Sequence, residues 1–329
     1  MLLGQIRTLQ RLGYLANAAI WMNLFIIFMT MGVVAHSGVL RDTAALQNQG
    51  VTADQPITTT AGARPGTDFS LQVVGLMQAV YSYGGAMLFV EFLSEMKHPW
   101  DFWKGMLFAQ TFIYFFYMFF GLFVYSYQGQ FTINPAYQGI ASFVWQTVAN
   151  SIGLVSGLIA ALLYGNIGIK VFYNNVLTDL FRFPSLGTKP GKLLWIAVVP
   201  VYWGLAFIVA AAIPQVSNLS GLIAAACILQ FSYTFPPMFM LGYQIKKDAM
   251  LDGEGFDPVT RQVTRHDAGI KRLARGFRKR WPLNTFNVIM FLGSVVTAIL
   301  GIYSAALGIK SAYAQGAPPS FSCQNPLGG

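Results

Sequence analysis

The sequence predicts an all-α integral membrane protein with seven transmembrane helices. Of its 329 residues, 55% are hydrophobic and only 10% are charged, whereas about a quarter of the residues are charged in an ordinary soluble domain. The mean hydropathy of +0.52 points the same way. Two cysteines and three histidines exclude a disulfide scaffold, and neither a metal site nor an organic cofactor is expected.

The seven predicted spans are windows of about 20 or more residues with few or no charges, divided where turn residues interrupt them. They cover about residues 14–35, 71–96, 105–127, 141–169, 193–213, 219–245 and 285–309. A turn at Asn134-Pro135 divides the uncharged run from 105 to 169, and Pro214 separates the fifth span from the sixth. Together the spans predict one transmembrane domain over residues 1–310, with a basic loop at 246–284 and a tail at 311–329.

The Lys and Arg residues predict the orientation of the chain, because positive charge close to a span resists translocation. With seven spans, all but three of the 21 basic residues fall on the side that carries the N-terminus. The exceptions are Arg41, Arg64 and Lys310. The N-terminus is therefore predicted to be cytoplasmic and the C-terminus non-cytoplasmic.

The second span carries paired glycines and polar residues in its middle, in the sequence QAVYSYGGAMLFVE. Glycine pairs let a helix unwind, which frees N–H and C=O groups to face a ligand. Tyr81, Ser82, Tyr83, Gly84 and Gly85 are therefore predicted to form a binding site at the middle of the membrane. Close packing between helices would explain the glycines equally well, and the neighbouring Tyr and Ser residues favour the binding site.

Glu91 is the candidate proton-coupling or gating acid of the second span. It follows Gly84 by seven residues, which is about 10 Å along a helix. An ionised carboxylate at that depth is costly, so such a group readily takes up a proton. In the alternative interpretation an unbroken helix brings Glu91 to the membrane interface, where it pairs with Lys97 or Lys104.

Two other spans supply secondary candidates for the site. In the fourth span Asn150 forms a polar stripe with Gln146, and in the sixth span Gln230 and Tyr233 precede a proline pair that is expected to kink the helix. Interhelical hydrogen bonding would explain the same residues.

The end of the basic loop, RLARGFRKRW, combines Arg and Lys with aromatic residues. In a soluble chain such a run would suggest RNA binding, but next to a span it is typical of a contact with anionic lipid. The lipid bilayer is therefore the expected partner here, and no nucleic-acid partner is expected.

Five longer strings resemble the fungal neutral amino acid permeases of the amino acid/auxin permease family. In chain order they are LGQIRTLQRLGYLANAAIWMN, QAVYSYGGAMLFVEFLSEMKHPWDFWKGM, LYGNIGIKVFYNN, VVPVYWGLAFIVAAAIP and CILQFSYTFPP. The resemblance covers nearly the whole chain. It implies symport of neutral amino acids with protons as the coupling ion, and a plasma-membrane rather than a vacuolar location.

The same resemblance implies a five-plus-five inverted-repeat transporter fold of eleven spans, with substrate held between the unwound parts of the first and sixth helices. The seven predicted spans then correspond to helices 5 to 11, and the span that contains Tyr81 to Gly85 corresponds to the sixth. Four N-terminal helices are accordingly expected to be absent from this chain, including the first, which would hold part of the substrate.

Other function classes fit the residues less well. A retinal protein needs a lysine in the middle of its last span, which has none, and a receptor of the usual topology has the opposite orientation. An intramembrane hydrolase needs paired acids, a histidine cluster or an activated serine on facing helices, so no enzyme is predicted. The remaining alternative is a non-transporting permease remnant that binds a partner, such as a full-length permease.

Overall fold

The computed structural model describes residues 9–48, 50–63, 66–213 and 216–314. Within these ranges, seven helical segments are long and apolar enough to cross a membrane. They run over Gly13–His36, Phe69–Ser94, Pro99–Phe131, Phe143–Leu180, Lys189–Ala212, Val216–Asp248 and Trp281–Ala314. The prediction of an all-α membrane protein with seven spans is confirmed. Pro214 and the predicted tail beyond residue 314 lie outside the described residues.

The described chain contains eleven α-helices and one short antiparallel hairpin. The helices are α1 (Leu9–His36), α2 (Arg41–Gln47), α3 (Phe69–Ser82), α4 (Phe89–Glu95), α5 (Phe102–Gln128), α6 (Phe143–Phe172), α7 (Lys189–Ala212), α8 (Val216–Ile223), α9 (Phe235–Asp248), α10 (Ile270–Lys279) and α11 (Trp281–Ala314). The hairpin pairs β1 (Gly255–Phe256) with β2 (Val263–Thr264). Wider π-helical turns cover Tyr173–Leu180, Ala224–Ile228 and Gln230–Thr234.

The described residues divide into two compact units. The first unit covers residues up to 67 and residues 90–213, and the second covers residues 68–89 and 216–314. Each unit therefore combines stretches that are far apart in the sequence.

The first unit is built on α1, which packs against α5 and α6. The buried hydroxyl of Ser156 on α6 donates a hydrogen bond to Asn23 Oδ1 on α1, at 3.0 Å. Nine residues further along α6, an added Cβ at Gly165 would lie 2.5 Å from the Trp203 ring of α7. The missing side chain lets α7 approach, and its Trp195 packs there against Tyr173.

The segment between the first two spans folds onto the chain that follows α5. Asn48 Nδ2 donates to the carbonyls of Gln130 and Thr132, at 3.0 and 2.9 Å. Gly129 has a φ of +51°, and an added Cβ there would lie 2.5 Å from the carbonyl oxygen of Thr58. These hydrogen bonds act together with a small buried cluster of Ala44, Val51, Phe131 and Ile133, which packs the segment against the same part of the chain.

The second unit packs α3, α8, α9 and α11 around small side chains. Met77 of α3 is fully buried, and an added Cβ at Gly301 of α11 would lie 2.7 Å from its sulfur. Small residues recur along α11 at intervals of three and four, which places them on one helix face. They are Ala298, Gly301, Ala305, Gly308 and Ala312. Such a stripe allows helix backbones to approach closely without bulky apolar residues.

Polar pairs fix the register between α9 and α11, which run antiparallel. The Thr234 hydroxyl donates to Ser294 Oγ at 3.0 Å, and Arg280 Nε lies 2.9 Å from Asp248 Oδ2. The same register places Gln244 opposite Asn284, and their side chains are 3% and 0% exposed. Polar contacts of this kind determine how far one helix can slide along the other.

Between α9 and α11, where a basic loop over 246–284 was predicted, the structure contains the hairpin and α10. An ion-pair cluster, which we call the clamp, joins Arg272 to Glu254 at 2.7 Å and to Asp267 at 2.9 Å, and Arg275 to Asp267 at 2.8 Å. Arg275 Nη2 also donates to the carbonyl of Ala249 at the end of α9, at 2.6 Å. Charges that pair with one another, rather than apolar residues, order this segment.

The clamp stays ionised at neutral pH. The Arg272 guanidinium and the N–H groups of His266 and Leu251 hold the pKa of the Glu254 carboxyl far below its usual range. The Arg275 and Arg272 guanidinium groups likewise lower the pKa of Asp267. A carboxyl whose pKa is lower in the folded than in the unfolded chain stabilises the fold above its unfolded pKa.

We expect Glu254→Gln to lower the melting temperature of the chain in detergent by the same amount at every pH from 8 to about 5. Below about pH 4.3, the usual pKa of a glutamate, the wild-type carboxyl stabilises the fold less with each step of acidification. The difference in melting temperature between wild type and Glu254→Gln should therefore shrink. Thermal unfolding followed by tryptophan fluorescence measures this. A difference that already closes between pH 7 and pH 5 would show that Glu254 titrates near neutrality and that the clamp is weak.

Candidate functional site

The second span is broken at the predicted place. Helix α3 ends at Ser82, residues 83–85 are not helical, and a single tight turn over Ala86–Leu88 leads into α4. Short-range hydrogen bonds replace the helical pattern there: Gly84 N–H donates to the Tyr81 carbonyl at 3.1 Å, and Leu88 N–H donates to the Gly85 carbonyl at 3.0 Å. An interrupted helix leaves main-chain polar groups without their regular partners.

The two glycines at the break have different surroundings. An added Cβ at Gly84 would lie 2.8 Å from Cδ1 and 3.1 Å from Cγ2 of Ile228, and 3.1 Å from the Tyr81 carbonyl oxygen. An added Cβ at Gly85 would meet no atom within 4 Å. Close packing therefore explains Gly84 but does not explain Gly85.

A glutamine one turn before the break ties α3 to α8. Gln78 Nε2 donates to the Ser217 carbonyl at 2.8 Å, and its Oε1 accepts from the Ser220 hydroxyl, also at 2.8 Å. Both ends of the amide are thus engaged, which fixes the rotation of α3 just before it unwinds. Gln78 begins the sequence string that contains the glycine pair, whereas the sequence pattern did not single out Ser220. A serine inside a span commonly makes such an interhelical bond through its hydroxyl, and that is the only sequence signal for Ser220. Ser217 takes part only through its main-chain carbonyl.

The turn over Ala86–Leu88 packs against the π-helical segment Gln230–Thr234 of the sixth span. Gln230 Nε2 donates to the Ala225 carbonyl at 3.4 Å, and Tyr233 packs on the core around Met77. The proline pair at 236–237 lacks N–H donors, which explains why the preceding turns depart from the α-helix. Both secondary candidates of this span therefore belong to the same unit as the break.

The side chains of the predicted substrate residues point to different environments. Tyr81 is 45% exposed and Ser82 is also exposed, while Tyr83 is half-buried. The Ser82 hydroxyl donates to the Gln78 carbonyl one turn earlier, at 2.9 Å. Tyr81 is therefore the more accessible of the two tyrosines that flank Ser82.

Glu91 and Asn150 belong to the first unit. Glu91 is half-buried on α4, and Asn150 is exposed on α6. In the stripe predicted for α6, Gln146 donates instead to the Gln138 carbonyl at 2.7 Å. Among the described residues no group of three or more His, Cys, Asp or Glu side chains is arranged to hold a metal ion.

Comparison with known proteins identifies one family. The family model for transmembrane amino acid transporter proteins matches residues 1–251. A "Transmembrane transporter" of Fusarium pseudograminearum is 27% identical over 313 residues, which is 94% of this chain and 58% of the relative. A "Transmembrane transporter" of Gibberella moniliformis is 27% identical over 99% of this chain and 62% of the relative.

A third relative is the "N amino acid transport system protein" of Neurospora crassa, which is 24% identical over 79% of this chain and 50% of its own length. The chain thus spans between half and about three fifths of the length of these relatives. No solved structure matches the chain significantly.

Substitutions at the two glycines test the difference in packing between them. Gly84→Val should lower the free energy of unfolding by about 1–3 kcal/mol, because the new side chain overlaps Ile228 and the Tyr81 carbonyl. Gly85→Ala should change it by less than about 0.5 kcal/mol, because its methyl group meets open space. Denaturant unfolding of the purified chain in detergent measures both. Equal effects of the two substitutions would contradict the packing described for Gly84.

Proposed function

The chain belongs to the transmembrane amino acid transporter family, and we propose that the protein of which it forms part or all carries neutral amino acids across a membrane by symport with protons. Membership in a transporter family agrees with the prediction that the protein is not an enzyme. The "N amino acid transport system protein" among its relatives supports amino acids as the substrate class.

The break in the second span is the observation that carries the proposal. A zwitterionic amino acid needs partners for an ammonium group and for a carboxylate, and an interrupted helix offers C=O and N–H groups that have lost their regular helical partners. The proposed substrate site is the segment from Tyr81 to Gly85, with Gln230 and Tyr233 from the facing π-helical segment. Gly85 supports this assignment, since the space beside its Cα is open.

Glu91 is the proposed coupling or gating acid. It lies in the helix that resumes after the break, and it is half-buried in a spanning segment. Ionisable groups in such segments serve a function more often than they serve packing. Protonation of Glu91 would remove its charge and so change how readily α4 moves. Asn150 is a secondary candidate for a polar contact with substrate.

The charge distribution supports a cytoplasmic N-terminus and a non-cytoplasmic C-terminus. We assign the protein to the plasma membrane in preference to the vacuolar membrane, on its resemblance to surface permeases. A second function is favoured by one observation, the 50–62% of each relative's length that the chain spans. In that alternative the chain is a non-transporting remnant that binds a full-length permease.

Uptake of radiolabelled neutral amino acids into permease-deficient cells tests the proposal, with this chain compared with a version extended upstream of Met1. We expect uptake by at least the extended version, and faster uptake at pH 5 than at pH 7, because protons drive it. Surface expression is measured in parallel. If neither version transports despite reaching the surface, the transport proposal fails and the remnant function takes its place.

Glu91→Gln should abolish the acceleration of uptake at pH 5 relative to pH 7 in whichever version transports, because the amide cannot take up a proton. Asp101→Asn is the control, since Asp101 is exposed and its salt-bridge partner within the described residues is Lys104, one turn on. It should keep the wild-type ratio of the two rates. Retention of that ratio by Glu91→Gln would assign the coupling to another group while leaving amino acid transport intact.

A further inference from the structure

The basic residues of α10 fall into two groups. Arg272 and Arg275 are held by the acids of the clamp. Lys279 and Arg280 lie 3.8 and 2.9 Å from the buried carboxylate of Asp248. These four positive charges are occupied within the protein and contribute to its fold.

Lys271 and Arg278 form the second group. Both side chains are exposed, and no carboxylate of the described residues lies within ion-pair distance of either one. They are seven residues apart, so they lie on the same side of the helix, about 10 Å from each other. Their two charges remain available to an external partner.

Because the clamp binds Arg272 and Arg275, α10 is oriented with these residues towards the protein. At 100° per residue, the side that faces the protein carries Arg272, Arg275, Gly276 and Lys279. The outward side, which we call the lipid face, carries Ile270, Lys271, Leu273, Ala274, Phe277 and Arg278. Ile270 is 85% exposed and Leu273 is 51% exposed. An amphipathic helix on the surface of a soluble protein buries its apolar side, whereas α10 turns Arg272 and Arg275 towards the protein and leaves its apolar residues facing outward.

The position of α10 identifies what covers this face. Arg275 binds the carbonyl of Ala249, directly after α9 ends, and α11 begins only two residues after α10. Both neighbouring helices belong to membrane spans, so α10 lies at the level where the membrane begins. Trp281, the first residue of α11, is 61% exposed at that level, and tryptophan is typical of the membrane interface.

We propose that the lipid face of α10 binds the surface of a leaflet that contains anionic phospholipid. Lys271 and Arg278 contact the phosphate and carboxylate groups of the headgroups, while Ile270, Leu273 and Phe277 enter the boundary with the acyl chains. Basic and apolar residues together on one exposed face match this surface. The side of the membrane predicted to be cytoplasmic is also the side whose leaflet carries phosphatidylserine.

The test is binding of a fluorescent short-chain phosphatidylserine to the full chain in neutral detergent. Lys271→Gln/Arg278→Gln should raise the Kd for this lipid by about 30-fold, as expected for the loss of two basic residues near an anionic surface. Both side chains are exposed and unpaired in the described structure, so the variant should keep the wild-type melting temperature. The same fluorophore on phosphatidylcholine should bind wild type and variant alike, and weakly.

Lys189→Gln/Lys192→Gln removes two exposed charges from the start of α7 and serves as the matched control, with an expected change in Kd of less than about threefold. Glycerophosphoserine, the headgroup without acyl chains, should not displace the lipid. The proposal is overturned if wild type binds both lipids equally, if the control weakens binding as much as the α10 variant, or if glycerophosphoserine competes as well as the lipid.

Discussion

Every main-chain N–H and C=O group within the spans needs a partner inside the protein, because hydrocarbon offers none. Regular helices satisfy this requirement by themselves. Only the irregular segments therefore need other partners for their main-chain groups. In the second unit the break after Ser82 packs its following turn against the π-helical segment Gln230–Thr234. Irregular backbone is thus gathered in one part of the unit, where each irregular segment adjoins the other instead of lipid.

Side-chain amides and hydroxyls hold the regular helices around this region. Gln78 fixes α3 to α8 through two hydrogen bonds, and the Thr234 hydroxyl fixes the start of α9 to Ser294 on α11. Apolar packing between spans has little advantage over packing against lipid, so directional contacts and small residues determine the register. The small residues of α11 allow the side chain of Met77 on α3 to approach the backbone of α11 closely.

Much of the fold was predictable because a membrane leaves a strong signal in the sequence. Span length, charge-free windows and the glycine pair gave the seven spans and the position of the break. The structure between 246 and 284 was not predictable in the same way, because Arg272 and Glu254 are 18 residues apart and no periodicity links them. Nor did the pattern single out Ser220 or Asn48, whose roles depend on residues more than 80 positions away.

The sequence left two explanations for the glycine pair, close packing or a binding site, and the structure shows that the packing differs between the two glycines. At Gly84 a side chain would overlap Ile228, so helix packing accounts for that glycine. At Gly85 a side chain would meet nothing within 4 Å. Packing in this chain therefore does not require glycine at position 85. A ligand that needs to approach the main chain closely would require it, which is why the proposed substrate site centres on the second glycine and not on the first.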